Sequence, residues 1–77
     1  DLMGREFSLL QTLMENESIV LTRETLMERV WGYDYLGETN VVDVYIRYLR
    51  SKIDEKHGLK LIRTVRGVGY TLRLDDP

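Results

Sequence analysis

Thr39-Asn40-Val41-Val42-Asp43-Val44-Tyr45-Ile46-Arg47-Tyr48-Leu49-Arg50-Ser51-Lys52-Ile53 is the stretch whose reading decides the fold. At helical spacing Val42, Ile46, Leu49 and Ile53 fall on one stripe, and Val44, Arg47, Tyr48 and Ser51 fall on another. The first stripe is apolar and faces a core. The second carries no acid and is flanked by Arg50 and Lys52, so this helix presents cationic, hydrogen-bonding and aromatic groups outward.

Around this helix the chain is small. At 77 residues it is one domain, and a chain of this length buries only about 60 to 65% of the surface its unfolded form exposes. It has no cysteine and one histidine, which removes a disulfide framework, a thiolate zinc site and a multi-histidine metal site. No apolar run approaches the roughly 18 residues that a membrane span requires. Soluble and cytoplasmic is the expectation, with no membrane partner, no cofactor and no metal.

The formal net charge of -2 conceals a dipole along the chain. Residues 1 to 39 hold three basic side chains against eight acids, a balance of -5, whereas residues 40 to 73 hold eight basic side chains against three acids, a balance of +5. Such a chain can turn a positive face to a polyanion while its acidic half maintains solubility. The long helix is therefore expected in the major groove of double-stranded DNA.

Working outward, residues 5 to 16 are predicted as a first helix with Phe7, Leu10, Leu13 and Met14 on its inner face, Leu9 beside it, and Arg5 and Glu6 available to water. Ile19-Val20-Leu21 is predicted as a short strand. Thr22 caps a second helix over 23 to 31, with Leu26, Met27, Val30 and Trp31 inward. The stretch 32 to 38 has two glycines and no period, and is a loop carrying Tyr33, Tyr35 and Leu36. Asn40 or Thr39 is expected to cap the third helix, with Asp43 bonding back as a capping-box partner. Gly58 ends that helix.

Two β-branched runs follow, 59 to 65 and 70 to 74, joined through Arg66-Gly67-Val68-Gly69 as a hairpin. Ile62 and Val65, three apart, cannot share one face of a regular strand, so either a bulge re-aims Val65 or it lies at the turn. The order helix, strand, helix, loop, helix, hairpin predicts an α+β winged helix-turn-helix with the C-terminal hairpin as its wing.

The runs Leu21-Thr22-Arg23-Glu24-Thr25-Leu26, Val30-Trp31-Gly32, Val42 to Arg50, and Thr64-Val65-Arg66-Gly67-Val68-Gly69-Tyr70 together resemble the C-terminal effector domain of OmpR/PhoB-type bacterial response regulators. The resemblance extends over nearly the whole chain from Leu2 onward. It implies a transcription-factor domain preceded by a phosphorylatable receiver domain, bound as a tandem dimer on direct repeats of double-stranded DNA. It also implies a four-stranded antiparallel sheet before the first helix. No such sheet is read in residues 1–77, so the chain looks truncated at its N-terminus and the first helix is expected to leave a face open, which invites dimerisation or domain swapping. The family usually has threonine at the position of Met3 and glutamate at that of Thr25.

The same resemblance assigns candidate contacts. Arg47 and Arg50 hold phosphates or base edges, as a planar guanidinium can do either. Tyr48 stands where several members have arginine, and offers a hydroxyl or ring but no bidentate pair to guanine. Val44 and Tyr45 approach the groove wall. Asn40 and Val41 occupy backbone-contact positions, although Asn40 also suits a capping role, and Trp31 suits both a phosphate contact and the core. Thr64 is a candidate phosphate contact, and Arg66 at the wing tip enters the adjacent minor groove, whose negative potential attracts arginine. Tyr33, Tyr35, Leu36 and Glu38 are the implied contacts with RNA polymerase. A competing expectation is a winged-helix module that binds protein through loop 32–38 and the first helix. No grouping of residues has the pattern of a catalytic site.

Overall fold

The structure is a computed structural model that describes residues 4–32 and 38–74. Its central element is helix α3, Asn40–Leu49, which continues as a π-helical segment over Arg50–Glu55. Val42, Ile46 and Leu49 are at most 1% exposed and form the stripe read from the sequence. The π segment changes the register at its end. Asp54 takes the buried position, while Ile53 packs only at the edge of the core. The segment closes at Gly58, whose φ of +67° lets the Leu59 N–H donate to the Asp54 carbonyl at 2.7 Å.

The expected capping box does not form. Thr39 is the N-cap but makes no side-chain cap bond, and the first amides are taken by short-range bonds from Val41 to the Glu38 carbonyl and from Val42 to the Thr39 carbonyl. Asp43 is drawn away into tertiary contacts described below. Thr22, by contrast, caps α2 (Arg23–Val30) as predicted, its hydroxyl accepting from the Thr25 N–H at 3.1 Å. Leu26, Met27 and Val30 are buried.

Helix α1, Gly4–Glu15, turns a different face inward from the one predicted. Glu6, Leu9 and Leu13 are buried, whereas Phe7 and Met14 are 57% and 50% exposed and Leu10 is half-buried. Two side chains explain the rotation. Lys52, reaching across from the π segment, donates to the Glu6 carboxylate at 2.8 Å, and Arg5 donates to the Val30 carbonyl at 2.6 Å. Arg5 and Glu6 were both expected in water; Arg5 is exposed, whereas Glu6 is buried.

Strand β1 is only Leu21–Thr22. Ile19 and Val20 remain exposed because a turn, closed by the Ile19 N–H on the Asn16 carbonyl, precedes it. With β2 (Ile62–Val65) and β3 (Gly69–Leu72) it makes an antiparallel sheet in the order β1-β3-β2. The hairpin register pairs Ile62 with Leu72 and Val65 with Gly69 without interruption, so Val65 is displaced by the turn and not by a bulge. Its carbonyl accepts from Val68 at 3.0 Å, and Gly67 at φ +77° supplies the left-handed residue the turn requires. Strand β2 lies at the sheet edge, where the peptide groups of Ile62 are held from the helix side: its N–H donates to Asp54 at 3.0 Å and its carbonyl accepts from Arg50 at 3.2 Å.

Candidate nucleic-acid interface

The stripe of α3 and its π-helical continuation opposite the core bears Asn40, Val44, Arg47, Tyr48 and Ser51. Asn40, Arg47, Tyr48 and Ser51 are exposed and Val44 is half-buried. The Arg47 guanidinium has no hydrogen bond or ion pair among the described residues. At the turn of the β2–β3 hairpin Arg66 is likewise exposed and without a described partner. Two cations that the fold does not use are thus carried at the helix and at the wing tip.

The other predicted contacts are more deeply committed to the fold. Arg50 is half-buried and straps the hairpin to α3: besides its bond to Ile62 it donates through Nη2 to the Thr64 hydroxyl at 2.6 Å, and its guanidinium lies 5.8 Å from the Tyr70 ring centroid. Arg50, expected on or beside the outward face, thus spends part of its hydrogen-bonding capacity within the fold. Thr64 accepts from Arg50, which leaves the hydroxyl's own proton for an acceptor outside the fold. Val41 is partly buried against the core, not outward. Tyr45 also packs on the core, edge-on to Trp31 at 5.2 Å and to the outer Tyr48 at 5.5 Å. This aromatic ladder fixes Tyr48 from beneath.

Trp31 is half-buried, and its backbone N–H donates to the Met27 carbonyl at 2.8 Å. That amide is used within α2, so the predicted phosphate contact of Trp31 would not come from its backbone N–H. Glu38 is exposed. Tyr33, Tyr35 and Leu36, the other predicted polymerase contacts, lie outside the described residues.

A network that sequence reasoning missed runs along the wing side of α3. Asp43 Oδ2 accepts from Arg23 of α2 at 2.9 Å, and Oδ1 accepts from the Tyr70 hydroxyl of β3. Burial, and then the hydrogen bond and negative charge of Asp43, push the Tyr70 hydroxyl up from 10.0 to about 12. The available signal was the lone acid of α3, Asp43, one turn before Arg47 on an otherwise cationic helix. Among the described residues there is no grouping of His, Cys, Asp and Glu that could hold a metal ion, and no helix long and apolar enough to cross a membrane.

Three helices, a small antiparallel sheet, an open cationic stripe and a tip arginine define a winged-helix DNA-binding domain. Comparison with known proteins narrows the class. The family model for "Transcriptional regulatory protein, C terminal" matches residues 1–72. The transcriptional regulatory protein PrrA of Mycobacterium tuberculosis is 54% identical over 74 residues, covering 96% of this chain and 32% of PrrA. A streptococcal structure, described as belonging to a family of redox sensors evolved from two-component response regulators, is 60% identical with a TM-score of 0.81, over 94% of this chain and 31% of that one. The Klebsiella pneumoniae RstA DNA-binding domain, solved in complex with the RstA box, is 30% identical with a TM-score of 0.81, over 95% of this chain and 73% of that domain. The chain belongs to this family and is a C-terminal DNA-binding effector domain of the OmpR/PhoB type. It spans about a third of the length of the curated relatives it matches.

Proposed function

We propose that this domain binds double-stranded DNA by laying α3 in the major groove and inserting Arg66 of the wing into the adjacent minor groove, within a cytoplasmic two-component response regulator that controls transcription. The observation that carries this reading is the pair of arginines, Arg47 and Arg66, exposed on two separate elements with no partner among the described residues. Val44, Arg47 and Tyr48 meet the groove floor and wall. Asn40, Thr64 and the Trp31 indole are phosphate donors, and Arg50 acts on DNA by holding Thr64 and the hairpin in place. Tyr45 supports Tyr48. The absence of an arginine at position 48 removes one bidentate guanine contact and directs recognition towards thymine methyl groups and shape. The whole protein carries a phosphorylatable receiver domain, binds direct repeats as a tandem dimer and meets RNA polymerase through residues 32–38. It performs no catalysis of its own.

The test starts from duplexes selected out of a randomised pool by the protein. With about four to six phosphates contacted, the logarithm of affinity should fall against the logarithm of salt with a slope of roughly -4 to -5. Arg47→Ala and Arg66→Ala should each reduce that slope by about one and weaken binding, Arg66→Ala most on AT-rich flanks. A salt-independent affinity, in protein that circular dichroism shows to be folded, refutes the reading.

A further inference from the structure

Asp43 is an acid on the helix that faces a polyanion. Placed there without other purpose, it lowers affinity by repulsion. Its contacts give it one. The carboxylate joins three elements, holding Arg23 of α2 through Oδ2 and Tyr70 of β3 through Oδ1. Tyr70 pairs with Thr64 across the hairpin, and Arg66 follows Thr64 by two residues in the turn that closes it. Two helical turns beyond Asp43, on the same flank of α3, Arg50 grips Thr64 and the Ile62 carbonyl of the opposite strand. Each strand of the wing is therefore clamped to α3 at its own point. A two-stranded hairpin is marginal by itself, and one attachment would leave it free to pivot.

We propose that Asp43 and Tyr70 are positioning residues for DNA binding: their hydrogen bond fixes the wing against α3 and so sets the reach of Arg66 relative to the major-groove contacts. This rests on the wing contact proposed above. Neither side chain need touch DNA. Their effect is transmitted through Arg66, and it therefore has a signature that a direct contact lacks.

The experiment is a set of double-mutant cycles on the selected duplex, using Asp43→Ala, Tyr70→Phe and Arg66→Ala alone and in pairs, at a temperature where each is folded by circular dichroism. Asp43→Ala removes a negative charge and on electrostatics alone should tighten binding; unlike asparagine, alanine keeps no oxygen to accept from Tyr70. The positioning role predicts the opposite sign, a loss of about three- to tenfold, matched by Tyr70→Phe and not compounded when the two are combined. In the Tyr70→Phe background the further loss from Arg66→Ala should shrink. Tighter binding by Asp43→Ala, or losses from Tyr70→Phe and Arg66→Ala that simply multiply, overturns the positioning role. If Asp43→Ala does not fold, the Tyr70→Phe and Arg66→Ala cycle decides alone, since Tyr70→Phe deletes a single oxygen. If Arg66→Ala has no effect in the wild-type background, the wing contact itself is refuted, and the positioning role with it.

Discussion

Replacing Gly69 by alanine adds one methyl group, and the sheet has no room for it. Gly69 opens the central strand, paired with Thr22 on one side and Val65 on the other. A Cβ there would overlap the Leu21 carbonyl oxygen and lie 2.8 Å from the Leu21 carbonyl carbon and 2.9 Å from Thr22 Cα. All three are backbone atoms, so no rotamer relieves the clash. To accept the methyl, β1 must move off β3. That loosens Leu21 and Tyr70 in the core and disturbs Thr22, which caps α2. Overpacking costs about 1 to 3 kcal/mol and backbone groups left unpaired cost about 1 to 3 kcal/mol more, so a loss of roughly 3 to 5 kcal/mol is expected. In a domain of this size each kcal/mol lowers Tm by about 4 to 8 °C, which makes the shift at least about 12 °C. Gly67→Ala is the control. Gly67 has φ +77° and open space around its Cβ position, so only the left-handed backbone is penalised, at about 1 to 2 kcal/mol. Thermal and urea unfolding followed by circular dichroism measure both. A Gly69→Ala protein within about 0.5 kcal/mol of wild type would mean that β1 does not lie against Gly69, and the account of the sheet would be wrong.

Thr22→Ala should cost about 1 kcal/mol in urea unfolding while Thr22→Ser costs little, because serine retains and alanine loses the hydroxyl that accepts from the Thr25 amide. Lys52→Met should destabilise by about 1 to 3 kcal/mol, more than Glu6→Gln, because it leaves the buried Glu6 carboxylate without the ammonium 2.8 Å away. For Tyr70 the folded value, about 12, lies above the ordinary 10.0, so the unfolded chain ionises first as pH rises. Its contribution is complete below pH 10 and disappears between about 10 and 12. Stability should fall more steeply over that window in wild type than in Tyr70→Phe, and equal slopes would count against the Asp43 bond. Arg47→Ala should weaken DNA binding with Tm unchanged, whereas Arg50→Ala should lower both, because Arg50, unlike Arg47, helps to hold β2 to the helix. An Arg50→Ala protein with wild-type Tm would contradict the strap.

The elements were legible where one face of a helix or strand settled the matter alone. The stripe Val42, Ile46, Leu49 and the cap at Thr22 are local patterns, and both hold. Helix α1 was misread because Phe7, Leu10, Leu13 and Met14 have a good helical period, and periodicity cannot say which of two apolar faces the rest of the chain covers. The answer lay 46 residues away in Lys52, which pairs with Glu6. The failure at Asp43 has the same origin. A carboxylate three residues after Asn40 is a local capping partner on sequence grounds, but a tyrosine 27 residues on and an arginine 20 residues back compete for it. Long-range polar contacts leave no period behind them.

That competition also changes the meaning of the charge imbalance. The eight basic side chains between residues 40 and 73 first read as a field awaiting a polyanion. In the structure Arg50 binds Thr64 and the Ile62 carbonyl, Lys52 binds Glu6, and Arg63 donates to the Lys60 carbonyl. Their charges add to the potential of the face proposed to meet DNA, but their hydrogen-bonding capacity is partly spent on holding α1, α3 and the wing together. Charge and contact are therefore carried by different residues. On the DNA-binding mode proposed above, the long-range attraction, sensitive to salt, belongs to all of the cations, while sequence and shape discrimination falls to Arg47, Arg66 and the aromatic edge of Tyr48. Single substitutions should separate accordingly: removing any of these cations reduces the salt dependence of binding, but removing a committed one also lowers stability, whereas removing Arg47 or Arg66 leaves stability and alters the ratio between selected and random duplexes.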